Sequence, residues 1–422
     1  MVYEPTTNFK DSNGVDLGKK LVTQDYVATV YPNLNSAFSA LIAYPAELYI
    51  WGYNDSGQIG DNTIANRSTP TQEFTRSCNW KKISGGGSVS GAIKTDGTLW
   101  MWGANYPIPS IGDNTRVTRS TPRQISIAAA GGLTGWKQIS CGLNLNPYVI
   151  RDDGTLWSWG QNSYGSAGDN TIQSRSTPRQ ISAGAGIGIN GWTQVSGGSN
   201  FGLAIRYDGT LWSWGSNING GLGQNTSGST ARSTPRQEAT SSTNWKQVSA
   251  GGYHVLAIKT DGTLWGWGWN SGGQVGDNTT QSRSTPRQIS AGAGIGINGW
   301  KQVSAGFDHS TAIRTDGTLW VWGSNSFSQL GINLSVGWRS TPVQEFSASN
   351  NWKQVCASNN NTAAIKTDGT LWAWGSNTLG QLGDNTTQNR STPRQEFTSS
   401  NSWRFISDHY VSNNAAIKFT TN

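Results

Sequence analysis

The chain has 422 residues, of which only 13% are charged, while 54 are Gly and 22 are Trp. The low charge content excludes a charged disordered chain and a coiled coil, and many Gly and aromatic residues together are typical of turn-dense β-proteins. The net charge of +7 comes without a run of five basic residues, which argues against nucleic acid as a partner. No apolar run approaches the roughly 18 residues of a membrane helix, so membrane insertion is not expected.

Residues 1–45 precede the repeats described below and are predicted to form a separate arm. The first residues lack the basic and apolar regions of a signal peptide. Within residues 16–32 the pattern predicts a short helix near residues 23–30, with Thr23 as its N-cap and Pro32 beyond its end. This stretch resembles attachment segments of bacteriophage virion proteins, which implies that its apolar side chains anchor the arm. These side chains are Leu17, Val22, Tyr26, Val30 and Tyr31.

From residue 46 onward a unit of 51 to 57 residues occurs seven times. A segment ending in Trp-Gly recurs with its glycine at Gly52, Gly103, Gly160, Gly215, Gly268, Gly323 and Gly375. The tetrapeptide Arg-Ser-Thr-Pro begins at Arg67, Arg119, Arg175, Arg232, Arg283, Arg339 and Arg390. A further Trp opens another segment at Trp80, Trp136, Trp192, Trp245, Trp300, Trp352 and Trp403. Repetition at a fixed period of this length indicates a repeat architecture.

Each unit predicts four short strands, which in one clear copy cover residues 245–249, 255–259, 263–267 and 283–289. Asp261 and Gly262 separate the second and third strands. Asp-Gly between apolar runs predicts a type I′ hairpin turn with positive φ at both residues. The Pro of the last segment cannot donate to a ladder, which favours an edge strand.

Seven units of four strands predict an all-β fold, a seven-bladed β-propeller that occupies residues 46–422. Six Asp-Gly hairpins are intact, whereas the seventh is divided between the two ends of the repeat region. Residues 414–418 match the strand before such a turn, and residues 47–51 match the strand after it. Pairing of these two strands is therefore predicted to close the ring.

The segments AIKTDGTLWGWG at residues 257–268 and GQLGD at residues 380–384 resemble the regulator-of-chromosome-condensation repeat family. The resemblance implies a seven-bladed propeller that serves as a binding platform. Members include a nucleotide-exchange factor for a small nuclear GTPase and bacterial propellers that inhibit β-lactamases. Because this chain lacks the long insertion that would wedge into a GTPase, and also lacks a basic nuclear tail, exchange activity is not expected.

The repeated residues are interpreted as structural. The Trp residues are expected to form the core between blades, and the Arg of Arg-Ser-Thr-Pro to bond carbonyl or carboxylate groups nearby. The loop Gly-Gln-Leu-Gly-Asp has neither a phosphate-loop ending nor enough oxygen ligands for a hard cation. His254 and His309 occupy a repeat position that holds Val89 and Phe201 in other units. We therefore expect no catalytic site, no metal site and no cofactor.

Departures from the repeat are the candidate binding residues. If the strands alternate in direction, one surface of the ring, called face one, carries the loop between the first and second strands and the loop between the third and fourth. Face two carries the Asp-Gly turns and the connections between units. On face one the fifth and sixth units have side chains that most other units lack: Tyr253, His254, Trp269, Phe307, His309, Phe327 and Trp338. On face two, three long Gly-rich connections, at residues 125–135, 181–191 and 289–299, favour packing against another subunit.

These features predict a non-enzymatic binding or structural propeller, and the arm points to a bacteriophage virion component such as a tail fibre, receptor-binding or decoration protein. Its location would be the virion, and its partners other virion proteins, bound through residues 1–45 and face two. Face one would then be open to a host-surface glycan or protein. The alternative is a soluble bacterial binding propeller, either a protein inhibitor or a lectin, in the cytoplasm or secreted without a visible signal peptide. A GTPase exchange factor is a third, less supported alternative.

Overall fold

The structure is a computed structural model that describes residues 45–126, 134–181, 188, 190–228, 231–289, 296–409 and 413–419. These residues form seven β-sheets, six of four strands and one of five, which confirms the predicted all-β, seven-bladed propeller. The arm other than Pro45, with its predicted helix and anchoring side chains, lies outside the described residues. So do parts of the three long connections on face two.

In the described residues the secondary structure consists of short strands and one 3₁₀ turn at Ile218–Gly220. The first strands in chain order are β1 (Ala46–Gly52), β2 (Arg67–Gln72), β3 (Trp80–Gly86), β4 (Val89–Lys94), β5 (Leu99–Gly103), β6 (Arg119–Gln124), β7 (Trp136–Gly142), β8 (Asn146–Arg151), β9 (Leu156–Gly160), β10 (Arg175–Gln180), β11 (Trp192–Gly197), β12 (Phe201–Arg206), β13 (Leu211–Gly215) and β14 (Arg232–Gln237). The remaining strands are β15 (Trp245–Ala250), β16 (His254–Lys259), β17 (Leu264–Gly268), β18 (Arg283–Gln288), β19 (Trp300–Ala305), β20 (His309–Arg314), β21 (Leu319–Ser324), β22 (Trp338–Gln344), β23 (Trp352–Ala357), β24 (Asn361–Lys366), β25 (Leu371–Gly375), β26 (Arg390–Gln395), β27 (Trp403–Ile406), β28 (Asp408–His409) and β29 (Asn413–Phe419).

We number the blades 1 to 7 by the order of their Trp-Gly strands. Blade 5 shows the common arrangement, in which β15, β16, β17 and β18 pair in that order. The strand that opens with Trp lies at the centre of the ring, because β15 contacts the equivalent strands β11 and β19 of the neighbouring blades. The Arg-Ser-Thr-Pro strand is the outer edge of each blade, as predicted from its Pro.

Blade 1 is built from both ends of the described chain, which confirms the predicted closure of the ring. Strand β29 pairs antiparallel with β1 over seven residue pairs, from Ala46 opposite Phe419 to Gly52 opposite Asn413. A second contact joins blade 1 to blade 2, because β28 runs parallel to β3 with Asp408 opposite Ser84. The ring is therefore closed by backbone hydrogen bonds, and β1 has no free inner edge.

Two repeated hydrogen bonds join each blade to the next. The indole N–H of the Trp in every Trp-Gly pair donates to a loop carbonyl of the preceding blade, as Trp267 Nε1 does to Gly221 at 3.1 Å. The Asn that follows each Gly-Asp position donates its backbone N–H to the Ser carbonyl of the next Arg-Ser-Thr-Pro, as Asn278 does to Ser340 at 2.9 Å. These Asn residues have φ between 56° and 66°, a left-handed conformation that Asn tolerates. The repeated Trp and Asn thus hold the ring together.

In five blades the Arg of Arg-Ser-Thr-Pro has the structural role predicted for it. Arg283 Nε lies 2.6 Å from Asp277 Oδ2 within one blade, and the Asp277 side chain is only 2% exposed. Equivalent pairs are Arg67 with Asp61, Arg119 with Asp113, Arg175 with Asp169, and Arg390 with Asp384. Each pair fastens the long loop between the third and fourth strands to the outer strand.

The hairpin turn between the second and third strands differs from the predicted type I′ turn. Gly262 has φ of 78°, but Asp261 does not lie in the left-handed region. Gly262 N donates to Lys259 O at 2.9 Å, so Thr260 and Asp261 are the central residues of the turn and Gly262 is a bulge after it. Asp261 Oδ1 accepts from the backbone N–H of Thr263 at 2.9 Å, and this local bond favours the conformation observed for Asp261.

Candidate binding surface on face one

The loops between the first and second strands surround the central opening on face one. Their backbones are hydrogen-bonded from blade to blade: Gly252 N donates to Gly306 O at 3.0 Å, and Phe307 N donates to Ser358 O at 3.2 Å. They enclose an open depression of about 550 Å³. Its lining includes Ser88, Leu143, Phe307, Asp308, Phe327 and Asn360, which come from blades 2, 3, 6 and 7. The depression therefore spans the mouth of the ring.

Three of the predicted aromatic residues form a cluster beside this depression. The ring of Tyr253 packs edge-on against Trp269, with centroids 6.0 Å apart, and against Phe307, with centroids 5.7 Å apart. All three side chains are half-buried, so part of each ring contacts solvent. A Cβ atom at Gly252 would lie 2.9 Å from the Phe307 ring. Gly252 thus leaves the space that Phe307 occupies against the loop of blade 5.

Phe327 and Trp338 are both exposed, but they occupy different places. Phe327 is 43% exposed and lines the depression together with Phe307. Trp338 is 51% exposed and begins β22, the outer strand of blade 6, where it lies opposite Ser324. The structure therefore brings Phe327 to the mouth of the ring and leaves Trp338 at the outer edge of the blade.

The expectation that His254 and His309 face outward is wrong, because both side chains are fully buried between blades. His254 Nε2 lies 2.9 Å from Ser310 Oγ, and His309 Nε2 lies 2.9 Å from Thr362 Oγ1. Each hydroxyl donates its own proton to a backbone carbonyl, so it accepts from the imidazole, and within the described chain Nδ1 of each ring has no partner. Burial lowers the pKa of both histidines to about 3, and both are therefore neutral at pH 7.

Asp308 was not among the predicted site residues, yet it lines the depression. Gln329 Nε2 donates to Asp308 Oδ1 at 3.4 Å, and the Ser324 side chain supplies a second hydrogen bond. Burial nevertheless raises the pKa of Asp308 above its ordinary value. The signal was visible in the sequence, because the position is uncharged in the other described blades. The equivalent residues of those blades are Ser88, Leu145, Asn200, Tyr253 and Asn360.

Neither a metal site nor a membrane-spanning helix is present in the described ranges. No three His, Cys, Asp or Glu side chains in those ranges converge to hold a metal ion. The same residues include no helix of the length and apolar character needed to cross a membrane.

The repeat is matched by a known family model, the regulator of chromosome condensation (RCC1) repeat. The matched residues are 46–93, 153–205, 208–258, 261–313, 316–365 and 368–407, which are more than half of the chain. The chain belongs to the RCC1 repeat family. The resemblance seen in the sequence is thereby confirmed. The matched segments cover parts of all seven blades, and the unmatched stretch from residue 94 to residue 152 contains β5 and β6 of blade 2 and β7 and β8 of blade 3.

Relatives of this RCC1-repeat chain differ widely in function. The ultraviolet-B receptor UVR8 of Arabidopsis thaliana is 29% identical over 359 residues, which are 82% of this chain and 76% of the receptor. The human E3 ubiquitin-protein ligase HERC2 is 28% identical over 69% of this chain, but the match spans only 6% of the ligase. These relatives indicate a propeller with a binding or regulatory role.

Solved structures of RCC1-type propellers share the fold at low identity. Human WBSCR16 superposes with a TM-score of 0.76 at 20% identity, covering 89% of this chain and all (100%) of that chain. Yeast RCC1 (Prp20), in its complex with Kap60, also gives a TM-score of 0.76 at 18% identity, covering 90% of each chain. At these identities the likeness shows the fold alone.

Proposed function

We propose that this RCC1-repeat protein is a non-enzymatic binding platform that holds a macromolecular partner on face one. The observation that carries the proposal is the depression at the mouth of the ring, bordered by the partly exposed rings of Phe307 and Phe327. Aromatic side chains on loops of a rigid scaffold are frequent anchors of binding sites. The Trp and Asn residues of the repeat already join the blades, and the Arg residues fasten the loops within them, so the fold does not require these two rings.

Known complexes of relatives support protein as the class of partner. Yeast RCC1 (Prp20) has been crystallised bound to Kap60, and its binding to Gsp1p and histones has been described. We propose that this chain also binds a protein, but we do not propose those particular partners for it. This extension is an analogy of fold, and the site itself has to be tested on its own residues.

The narrower role that we propose is that of a bacteriophage virion component, located in the particle and anchored through residues 1–45. Its support is the resemblance of residues 16–32 to virion attachment segments, whereas the relatives named above are eukaryotic proteins. Other virion proteins would then bind the arm and face two. A soluble inhibitor or lectin would use the same face-one depression without the arm.

A photo-crosslinking experiment tests the platform. The crosslinker p-benzoylphenylalanine replaces Phe327 on face one or, as the matched control, Phe397, which is 57% exposed and follows the outer strand β26 at its face-two end. We expect one dominant protein adduct from position 327 in extracts of the source material and none from position 397. Adducts from position 397 alone would overturn the assignment of the binding surface to face one.

A sedimentation experiment tests the virion role separately. The full chain and a chain of residues 46–422 are each mixed with purified particles and centrifuged. The proposal expects the full chain to sediment with the particles in fixed stoichiometry and the shortened chain to stay in solution. Equal behaviour of the two chains would contradict anchoring by the arm and would leave the binding platform unaffected.

A further inference from the structure

We propose that the face-one depression recognises a cationic side chain, Arg or Lys, presented by a protein partner. Asp308 would be its counter-ion, and the rings of Phe307 and Phe327 would contact its apolar stem and its charge. This inference rests on the proposed binding function and specifies the chemistry of the group that is bound.

Among the described residues, no cation lies beside the carboxylate of Asp308. Among the described aspartates with shifted pKa values, the others have lowered values and a Lys or Arg contributing to the shift, as Arg283 does for Asp277 and Lys259 for Asp261. For Asp308 the shift is upward, burial is the largest cause, and only hydrogen bonds oppose it. A partly desolvated carboxylate is unfavourable until an opposite charge approaches it. A cation from a partner would supply the missing charge.

The fold does not need a charge at this position. Asn360 occupies the equivalent position in blade 7, and Asn200 occupies it in blade 4. Both blades form the same four-stranded sheet as blade 6. Since the ring accommodates a neutral amide of nearly the same shape, the carboxylate of Asp308 is better explained by a ligand than by folding.

The surroundings of Asp308 suit a cation and not an anion. Phe307 and Phe327 border the same depression, and no Lys or Arg is present among the described residues that line it. A cation within about 6 Å of an aromatic ring centre is attracted by the ring. The chain uses this contact elsewhere, because Lys259 Nζ lies 4.1 Å from the centre of the Trp265 ring. An uncompensated carboxylate at the mouth repels phosphate and other anionic ligands.

A neutral glycan is the competing occupant of this surface, since aromatic rings with Asn360 and Ser88 could stack on and bond to a sugar. A glycan would not relieve the unpaired charge of Asp308. The charge therefore favours a protein partner with a basic side chain, and a sugar becomes an outcome of the test.

The experiment measures the affinity of the full-length protein for two peptides by ligand-observed saturation-transfer NMR. The probes are N-acetyl-Gly-Arg-Gly-amide and its citrulline counterpart, which is neutral and nearly the same shape. We expect the Arg peptide to bind about tenfold more tightly than the citrulline peptide. Asp308→Asn should abolish the difference. Asp152→Asn, which removes an exposed carboxylate on face two, should preserve it.

Two results would overturn the proposal: no binding of the Arg peptide, or equal affinities for the two peptides in the unmodified protein. An Arg preference that persists in Asp308→Asn would also overturn it, because the cation would then bind elsewhere. Chitotriose serves as a third probe, and its binding without Arg binding would assign the depression to a glycan. That outcome would contradict the cation site but not the proposed binding function of face one. The crosslinking experiment tests that binding function itself.

Discussion

The two buried histidines make the stability of the ring depend on pH well above the range in which carboxylates titrate. His254 and His309 have pKa values lowered to about 3, chiefly by burial, from the ordinary value of 6.5. Between these values an unfolded His binds a proton and the folded one does not. The free energy of unfolding is therefore highest above pH 6.5 and decreases as the pH falls below 6.5.

The magnitude follows from the two pKa values. At pH 5, each histidine lowers the free energy of unfolding by about 2 kcal/mol relative to pH 7.5, so the pair lowers it by about 4 kcal/mol. The described aspartates with lowered pKa values titrate below their usual value of 3.8, and Asp308, whose pKa is raised, is present in both proteins compared below, so its contribution cancels. Burial also keeps the effect nearly independent of salt.

The assay compares urea unfolding at pH 7.5, 6 and 5, followed by Trp fluorescence, in the unmodified protein and in the double variant His254→Asn/His309→Asn. Asn is a matched replacement because Asn361 and Asn413 occupy the equivalent buried positions of blades 7 and 1. The substitution itself changes stability at pH 7.5, so the comparison is between the two losses on acidification. His409 is present in both proteins and its contribution cancels.

We expect the double variant to lose about 4 kcal/mol less than the unmodified protein between pH 7.5 and pH 5. Equal losses in the two proteins would refute the reasoning, because they would mean that the two imidazoles become charged in the folded ring without a penalty. For the single variant His309→Asn, the loss of stability between pH 7.5 and pH 5 should be reduced by about half as much as for the double variant.

Three further predictions concern the ring and its repeats. Deleting residues 412–422 removes β29 and leaves β1 unpaired on its inner side, so the melting temperature should fall sharply. A truncated chain that melts like the full chain would contradict the closure of the ring. Gly262→Val should lower the free energy of unfolding, measured with urea, by about 1–3 kcal/mol, because Gly262 has φ of 78°. Gly262→Asn should lower it clearly less, because Asn tolerates this conformation. Asp277→Asn should lower the free energy of unfolding by about 1–3 kcal/mol, because it removes the charge that Arg283 contacts. The double variant Asp277→Asn/Arg283→Gln should lose less stability than the sum of the two single variants. Strict additivity would mean that the pair does not interact.

The sequence by itself determined the architecture, because the repeat is encoded locally. The period-two pattern of Thr263–Gly268, the Asp-Gly turn before it and the Pro of each outer strand specify four strands, and seven copies specify seven blades. The divided hairpin at the two ends then required the pairing of β1 with β29. The aromatic character of Tyr253, Trp269, Phe307 and Phe327 was likewise evident as a departure from the repeat.

Only the tertiary structure decided which of these side chains reach the mouth of the ring. Tyr253 and His254 are adjacent in the sequence, yet one borders solvent and the other is fully buried, because β16 begins between them and directs His254 toward the next blade. The partner of His254 is Ser310, which is 56 residues away. The surroundings of Asp308 are decided in the same way, since the described lining of the depression, which contains no Lys or Arg, comes from loops of four blades that meet only in the closed ring. Local patterns determine strands and turns, whereas burial and charge pairing depend on neighbours that are distant in the chain.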